Sequence, residues 1–272
     1  MGGYRHLLIR RVGPVEHVVL DRPDVRNAFN EALIEDLHAW ATTRATGGDE
    51  VRVAVLSGAG RVFCAGGDLA WMAETVDVTR EENLRSARRM AAMFEALDVV
   101  PVPLIGRIHG AAVGGGAGLA AVCDIVIATP DTQFGFTEVK LGLVPAVISP
   151  YALAKIGRSA ARELFLTGAR FSAARAREIG LVHDIVPQDA LDGAVDRYVR
   201  EVLTAEPAAV ATAKEMIRRV WAGTPPDVLQ ITTDAIASRR VSPAGQEGMR
   251  AFLEKRPARW VSTTRPQEGG GE

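Results

Sequence analysis

The chain is poor in cysteine, in net charge and in long hydrophobic runs. Its two cysteines, Cys64 and Cys123, cannot form a disulfide framework and lack the spacing of metal ligands. The formal net charge is −1 and no basic run occurs, which argues against nucleic acid as a partner. No stretch of about 18 apolar residues is present, and the first residues lack the apolar core of a signal peptide. We therefore expect a cytoplasmic protein with no membrane span.

Apolar residues are plentiful, at 47% of the 272 residues, so a sizeable core can form. Up to about residue 149, short β-branched segments alternate with helical patterns, beginning with a hairpin formed by HLLIRR and EHVVLDRP. This alternation predicts an α/β layout with parallel strands. From residue 188 onward the pattern is helical only. We expect a core over residues 1–190, a helical region over 191–260 that packs on a partner subunit, and a disordered tail over 261–272.

Two helices of the core have clear start signals. Asn30 is placed to cap a helix, and Thr79 with Glu82 forms a capping box for a second one. The first helix is expected to turn one apolar face inward, made by Leu33, Ile34, Leu37, Trp40 and Ala41. For the second helix the inward face is expected to comprise Leu84, Ala87, Met90, Ala91 and Phe94.

Two segments rich in small residues each follow a predicted strand and precede a predicted helix. They are SGAGRVFCAGGDLAWM at 57–72 and GAAVGGGAGLAAVCD at 110–124. Free backbone N–H groups and the positive end of a helix dipole favour an oxyanion at such places. If the two segments meet, each supplies one N–H to a carbonyl oxygen, and the small size of Gly114–Gly116 would give that oxygen access. Taken alone, each segment is equally explained as a packed turn.

A dinucleotide-binding loop is a competing interpretation of the second segment. Gly116, Gly118 and Ala121 satisfy G-x-G-x-x-A after a strand. The helix that would follow ends by Asp124, which is too short for a βαβ crossover. We therefore do not predict a dinucleotide site.

Glu138 is the candidate acid–base residue, because apolar residues and glycine surround it in TQFGFTEVKLGL. Burial raises a carboxyl pKa toward the working pH of a general acid or base. The alternative is an ion pair with Lys140. His109 is expected to be a structural hydrogen-bonding residue, Cys64 a small buried filler, and Asp68 a helix cap.

Together these segments resemble the crotonase superfamily, the enoyl-CoA hydratase/isomerase family, over about residues 7–260. The ordered motifs that carry the resemblance are LDRPDVRNAFN, FCAGGDL, HGAAVGGGAGLAAVCDIVIAT, FGFTEVKLGLVP and GQEGMRAFLEKRPARW. The resemblance implies a spiral of ββα units followed by a helical trimerisation region, assembled as a homotrimer or as a hexamer of two trimers. It implies an acyl-CoA thioester as substrate, with no metal and no cofactor beyond the coenzyme A that the substrate carries.

The resemblance also implies roles for individual residues. The N–H groups of Ala65 and Gly115 would form the oxyanion hole, and Glu138 would be the catalytic glutamate. Typical hydratases have a second glutamate 20 residues before it, where this chain has Gly118. Contacts with the coenzyme A or acyl part are implied for Arg26, Ala65, Gly66, Asp68, Trp71, Met72, Gly114, Gly118, Phe252 and Lys255.

The segment LGLVPAVISPYAL departs from the usual family sequence and resembles a bacterial branch of methylglutaconyl-CoA and isohexenylglutaconyl-CoA hydratases. Members of that branch act in leucine or terpenoid breakdown on branched, carboxylated acyl chains. We therefore expect an enoyl-CoA hydratase that uses a single glutamate. The alternatives are a Δ3-Δ2 enoyl-CoA isomerase, which needs one carboxylate, and an acyl-CoA-binding homologue without catalytic activity.

Overall fold

The computed structural model describes residues 3–46, 51–74 and 76–261. The chain forms two compact units, Met1–Val199 and Arg200–Glu272. The division lies within the seventh helix, whereas the boundary predicted at residue 190 precedes that helix. Except for Val261, the tail predicted to be disordered lies outside the described residues.

The strands and helices alternate through the first unit, and helices follow in the second. The strands are β1 (Leu7–Val12), β2 (Val15–Leu20), β3 (Val53–Gly58), β4 (Leu104–Ile108), β5 (Ala111–Val113), β6 (Ile125–Ala128), β7 (Gln133–Gly135), β8 (Arg170–Ser172) and β9 (Asp184–Ile185). The helices are α1 (Glu31–Ala45), α2 (Leu69–Glu74), α3 (Arg80–Asp98), α4 (Gly115–Val122), α5 (Ser149–Thr167), α6 (Ala173–Glu178), α7 (Leu191–Thr204), α8 (Pro207–Ala222), α9 (Pro225–Val241) and α10 (Pro243–Leu253). Short 3-10 turns cover Pro23–Val25, Glu138–Leu141 and Gln188–Ala190.

The larger sheet has six strands in the order β1-β2-β3-β4-β6-β9. Strands β1 and β2 form the predicted antiparallel hairpin, and the remaining pairs are parallel. The predicted α/β layout with parallel strands is therefore confirmed. Parallel strands bring their carboxyl ends to one edge, where the segments after β3 and β4 begin.

A smaller sheet, in the order β5-β7-β8, is absent from the prediction. Each of its strands has three residues, which is too short for an alternating pattern to be recognised. This sheet joins the glycine-rich segment to the segment before Glu138, because β5 pairs in parallel with β7. Continuing that pairing, the Gly114 N–H donates to the Gly135 carbonyl at 2.8 Å.

Both predicted helix starts are confirmed. The Asn30 side chain accepts the Leu33 N–H at 2.9 Å, and Thr79 with Glu82 forms the complete capping box. The predicted inward face of α1 is buried at all five positions. The predicted face of α3 is wrong at Leu84 and Ala87, which are exposed. Only the last turns of α3 enter the core, through Met93, Phe94 and Leu97.

In the second unit, α8, α9 and α10 each begin with proline in the first turn, as the sequence predicts for α8 and α10. Glu206 caps α8 and also pairs with Arg239 of α9. Large apolar side chains remain on the surface of this unit, at Ile217, Trp221, Leu229, Ile236, Val241, Met249, Phe252 and Leu253. The subunit-packing role of this region stays a prediction.

Candidate active site

Glu138 lies at the first position of a 3-10 turn that follows strand β7. Gly142 ends the turn with a φ of 74°, a left-handed conformation that glycine adopts without strain. The Leu143 N–H then donates to the Glu138 carbonyl at 3.1 Å. The short strand and the closed turn fix the backbone on both sides of the glutamate.

The side chain of Glu138 is half-buried, and one of its two carboxylate oxygens is fully buried. Its Oε2 atom is buried and has no hydrogen-bond partner in the described part of the chain. Burial raises the pKa of Glu138 above its ordinary value of 4.5, and a bond from its own backbone N–H only partly opposes the shift. Lys140 is exposed, and Oε2 of Glu138 has no partner among the described residues, so it makes no ion pair with Lys140. A carboxylate in this state is suited to accept and return a proton.

The two predicted loops meet at Glu138. A Cβ atom placed on Gly114 would lie 3.4 Å from Glu138 Oε1 and 3.9 Å from Gly66 Cα. Gly66, Gly114 and Glu138 therefore converge, although they come from three separate segments of the chain. The contact between Gly66 and the second loop is close, because a Cβ on Gly66 would be 2.9 Å from the Val113 carbonyl oxygen.

Gly115 opens helix α4 beside this point. The first intrahelical bond of α4 runs from the Gly118 N–H to the Gly114 carbonyl, at 3.0 Å. The N–H groups of Gly115, Gly116 and Ala117 precede it and have no carbonyl within the helix to bond. They carry the positive end of the helix dipole, which favours an anion.

The N–H of Ala65, the second predicted oxyanion donor, is engaged in the structure. It donates to the Arg26 carbonyl oxygen at 3.0 Å. Arg26 is exposed and has a φ of 56°. For Ala65 to serve an oxyanion, its N–H must therefore be shared with the Arg26 carbonyl or be released from it.

The structure adds a packing reason for the small residues at 115 and 116. A Cβ on Gly115 would lie 2.9 Å from the ring of Phe29, and one on Gly116 would overlap the Cys64 carbonyl. Neighbouring segments touch the helix backbone at both positions and leave no room for a side chain there. The dinucleotide interpretation stays rejected, since α4 ends at Val122 and follows a strand of the smaller sheet.

Gly118 offers no open surface to a substrate in this structure. It is buried, and a Cβ atom there would overlap the Cγ2 methyl of Ile148 and lie 3.0 Å from Phe94 Cζ. Ile148 and Phe94 cover this position, and the predicted substrate contact at Gly118 stays a prediction. The only sequence signal for Ile148 is its place in the segment LGLVPAVISPYAL, which departs from the usual family sequence.

Arg22 holds the loop that contains Ala65 in place, a role that was not predicted from the sequence. Its guanidinium pairs with Asp68 Oδ2 at 2.8 Å and also donates to the Ala28 carbonyl. On the other side, the Phe29 N–H donates to the Gly66 carbonyl at 2.7 Å. Asp68 accepts the Ala70 N–H at 2.9 Å, which confirms its expected role as a cap, here for α2.

The Arg22–Asp68 pair predicts an acid-sensitive contribution to stability. Burial alone would raise the pKa of Asp68, but the bonds from Arg22 and Ala70 hold it below the ordinary 3.8. A depressed carboxyl pKa stabilises the fold above the unfolded-state pKa, and that stabilisation is lost as pH falls through the folded-state pKa. We expect Asp68→Asn to lower the free energy of unfolding at pH 7 and to flatten its dependence on pH below about 4. Urea unfolding of the wild type and of Asp68→Asn between pH 3 and pH 7 measures this difference. If the free energy of unfolding had the same slope against pH in both proteins, the prediction would be contradicted.

The remaining residues that the sequence singled out lie in several different surroundings. His109 is buried with Nε2 2.9 Å from the Gly60 carbonyl, and Cys64 is buried with its pKa raised by burial to about 12, so both have the expected structural roles. Trp71 and Met72 are half-buried on α2, and a Cβ on Gly67 would lie 3.1 Å from Met72 Sδ. Phe252, which is 83% exposed, and Lys255 belong to the second unit, and their contacts with coenzyme A stay a prediction.

Two further observations concern the described residues as a whole. None of their His, Cys, Asp and Glu side chains gather in a group of three that could hold a metal ion. No helix among them combines the length and apolarity needed to cross a bilayer.

Comparisons with known proteins agree over nearly the full chain. Residues 11–263 match the family model described as enoyl-CoA hydratase/isomerase. The chain is 31% identical to the 2,3-dehydroadipyl-CoA hydratase of Escherichia coli K12, covering 92% of this chain and 96% of that protein. An enoyl-CoA hydratase structure from Shewanella pealeana superposes with a TM-score of 0.90 at 37% identity, covering 94% of this chain and 96% of that one. Pseudomonas aeruginosa AtuE superposes with a TM-score of 0.91 at 34% identity, covering 95% and 100%.

Proposed function

The chain belongs to the enoyl-CoA hydratase/isomerase family, with the crotonase-type fold, and we propose that it catalyses the reversible hydration of a 2-enoyl-CoA thioester. The observation that carries this proposal is the half-buried carboxylate of Glu138, whose buried Oε2 has no hydrogen-bond partner among the described residues, beside Gly114 and the start of α4. A proton carrier and a set of backbone donors at one point are what addition of water to a conjugated thioester requires.

In the proposed mechanism the thioester oxygen accepts the Gly115 N–H and the N–H of Ala65, which the Arg26 carbonyl shares. These donors stabilise the negative charge that develops on that oxygen as the C2–C3 double bond opens. Glu138 takes a proton from water while the water oxygen bonds to C3, and it then gives a proton to C2 on the same face. Dehydration reverses these steps, and no redox change occurs.

The acyl chain that we propose is branched or carboxylated. The resemblance of LGLVPAVISPYAL to the methylglutaconyl-CoA and isohexenylglutaconyl-CoA hydratase branch supports this, as does a relative named as a 2,3-dehydroadipyl-CoA hydratase. We also propose that Arg26, Gly66, Trp71 and Met72 contact the substrate. A cytoplasmic homotrimer or hexamer, with no cofactor beyond the coenzyme A of the substrate, completes the proposal.

A turnover screen tests the reaction. Straight, branched and carboxylated 2-enoyl-CoAs are offered, and the absorbance of the conjugated thioester is followed. We expect this absorbance to fall for at least one branched or carboxylated substrate, and one atom of heavy oxygen from labelled water to enter the product. Turnover of none of the 2-enoyl-CoAs would overturn the proposal.

Isomerisation of a 3-enoyl-CoA is the second candidate, and the covering of Gly118 by Ile148 favours it. One carboxylate suffices to move a proton between C2 and C4, whereas no second acid is placed at 118 to hold water. An isomerase gives a conjugated product without label from heavy-oxygen water. A homologue that only binds acyl-CoA would show affinity for the thioesters and turn over neither class.

A further inference from the structure

Gly114, the residue before α4, and Gly118, within α4, meet two different parts of the segment 138–148. The two glycines are four residues apart in the chain. Position 114 faces the Glu138 carboxylate, and position 118 faces the side chain of Ile148. The segment that carries the acid–base group therefore makes a second contact four residues further along the chain, within α4.

The contact at 118 is too close for any side chain other than hydrogen. A Cβ atom there would overlap Ile148 Cγ2, lie 2.9 Å from Ile148 Cβ, and lie 3.0 Å from Phe94 Cζ. Ile148 is 2% exposed and Phe94 is fully buried, so neither side chain can move away into solvent. The isoleucine thus fills the space that a residue-118 side chain would need.

Ile148 is itself held from both sides. It is the residue before α5, and its carbonyl accepts the Ala152 N–H at 3.1 Å. Phe94, which borders the same space, stacks on Tyr151 of α5 with ring centroids 5.8 Å apart. The nine residues between Glu138 and Ile148 are consequently fixed at one end by the 3-10 turn and at the other by this apolar contact.

We infer that Ile148 is a positioning residue for the reaction: its side chain packs over Gly118, holds the segment 138–148 against α4, and so fixes where the Glu138 carboxylate lies. The contact between Ile148 and Gly118 also limits the site to one carboxylate, because no acidic side chain fits at position 118 while Ile148 is present. This inference rests on the proposed function for the role of Glu138, but the packing itself does not.

The test is a four-protein cycle of wild type, Gly118→Ala, Ile148→Gly and the double variant, with kcat, KM and the unfolding midpoint measured for each. We expect Gly118→Ala to lower kcat on the order of 100-fold, since a displacement of about 1 Å has that effect. Ile148→Gly is expected to lower kcat on the order of tenfold with KM nearly unchanged. The double variant is expected to exceed Gly118→Ala in both kcat and unfolding midpoint. Ile148→Val, which keeps most of the packing, is expected to retain most of the wild-type kcat.

Ile156 supplies the control, because it is a buried isoleucine of α5 and is not among the three atoms nearest to a Cβ at Gly118. Adding Ile156→Gly to Gly118→Ala is expected to restore neither kcat nor the unfolding midpoint. Equal recovery by both glycine substitutions, or wild-type kcat and midpoint in Gly118→Ala, would overturn the inference. A rise in KM without loss of kcat in Ile148→Gly would also overturn it. If the wild type turns over no enoyl-CoA, the proposed function fails, and the unfolding midpoints still decide whether Ile148 and Gly118 are coupled.

Discussion

Replacing Glu138 by glutamine is expected to lower kcat by roughly 10²–10⁴-fold, the range that general acid–base catalysis contributes. Glutamine keeps the shape of the side chain but cannot take a proton from water. Because the backbone donors of Gly115 and Ala65 are untouched, acyl-CoA affinity is expected to stay nearly unchanged. Initial rates from the thioester absorbance, with calorimetric titration of a non-reactive acyl-CoA, measure the two effects.

The same substitution is expected to raise stability at neutral pH. Burial raises the pKa of Glu138 above 4.5, so the folded state disfavours the charged form, and above the unfolded-state pKa the ionised group destabilises the fold. A neutral amide removes that cost. We expect the unfolding midpoint of Glu138→Gln to exceed that of the wild type at pH 7 and to approach it near pH 4. A loss of turnover together with a gain in stability separates a catalytic role from misfolding.

Glu178→Gln is the matched control, since Glu178 is exposed on α6 and pairs only with Arg175 among the described residues. It is expected to leave kcat unchanged. Wild-type-like turnover in Glu138→Gln would remove Glu138 from the mechanism. So would a pH–rate profile whose acidic limb lies at or below 4.5, because a base with a raised pKa loses activity at a higher pH.

Gly116→Ala is expected to have the second large effect. Its Cβ atom would overlap the Cys64 carbonyl oxygen and lie 2.9 Å from Cys64 Cβ. Backbone and a buried side chain cannot yield as a surface side chain does, so the loop that contains Ala65 must move away from α4. Overpacking of this kind costs about 1–3 kcal/mol in the free energy of unfolding. Displacement of the oxyanion donors by about 1 Å is expected to lower kcat/KM on the order of 100-fold.

Gly193→Ala is the control for this substitution. Gly193 is an exposed residue of α7 with no atom within 4 Å of an added Cβ. Because alanine is the better helix former, we expect an increase of about 0.5–1 kcal/mol in stability and no change in kcat/KM. Urea unfolding gives the free energy of unfolding of both variants, and steady-state kinetics give their kcat/KM. Equal stability of Gly116→Ala and wild type would show that the two loops are not in the close contact described.

Much of the fold could be predicted because its signals are local. The cap at Asn30, the capping box at Thr79 and the prolines that begin α8 and α10 each act within one helical turn. The inward face of α1 was also predictable, since the predicted positions all lie in the stretch from Leu33 to Ala41 that packs against the core. The inward face of α3 was not, because its periodicity does not reveal that the first turns extend past the core into solvent.

For the candidate site, the sequence indicated which residue types matter but not their surroundings. The apolar neighbours of Glu138 predicted a carboxylate in a buried place, and the structure shows a buried oxygen that has no partner in the part of the chain it describes. The engagement of Ala65 by Arg26 and the clamp between Arg22 and Asp68 join residues 39 and 46 positions apart. No local pattern encodes such pairings.

The sequence by itself determined the class of fold, the family and the candidate acid–base residue, because ordered motifs and local caps are properties of short segments. Only the tertiary structure decided why the glycine-rich segment is bare. Gly114 approaches a carboxylate, Gly115 a phenylalanine ring, Gly116 a backbone carbonyl, and Gly118 the side chain of Ile148. Each neighbour comes from a different part of the chain or a different element, and the volume around a Cα atom is known only after those parts have packed.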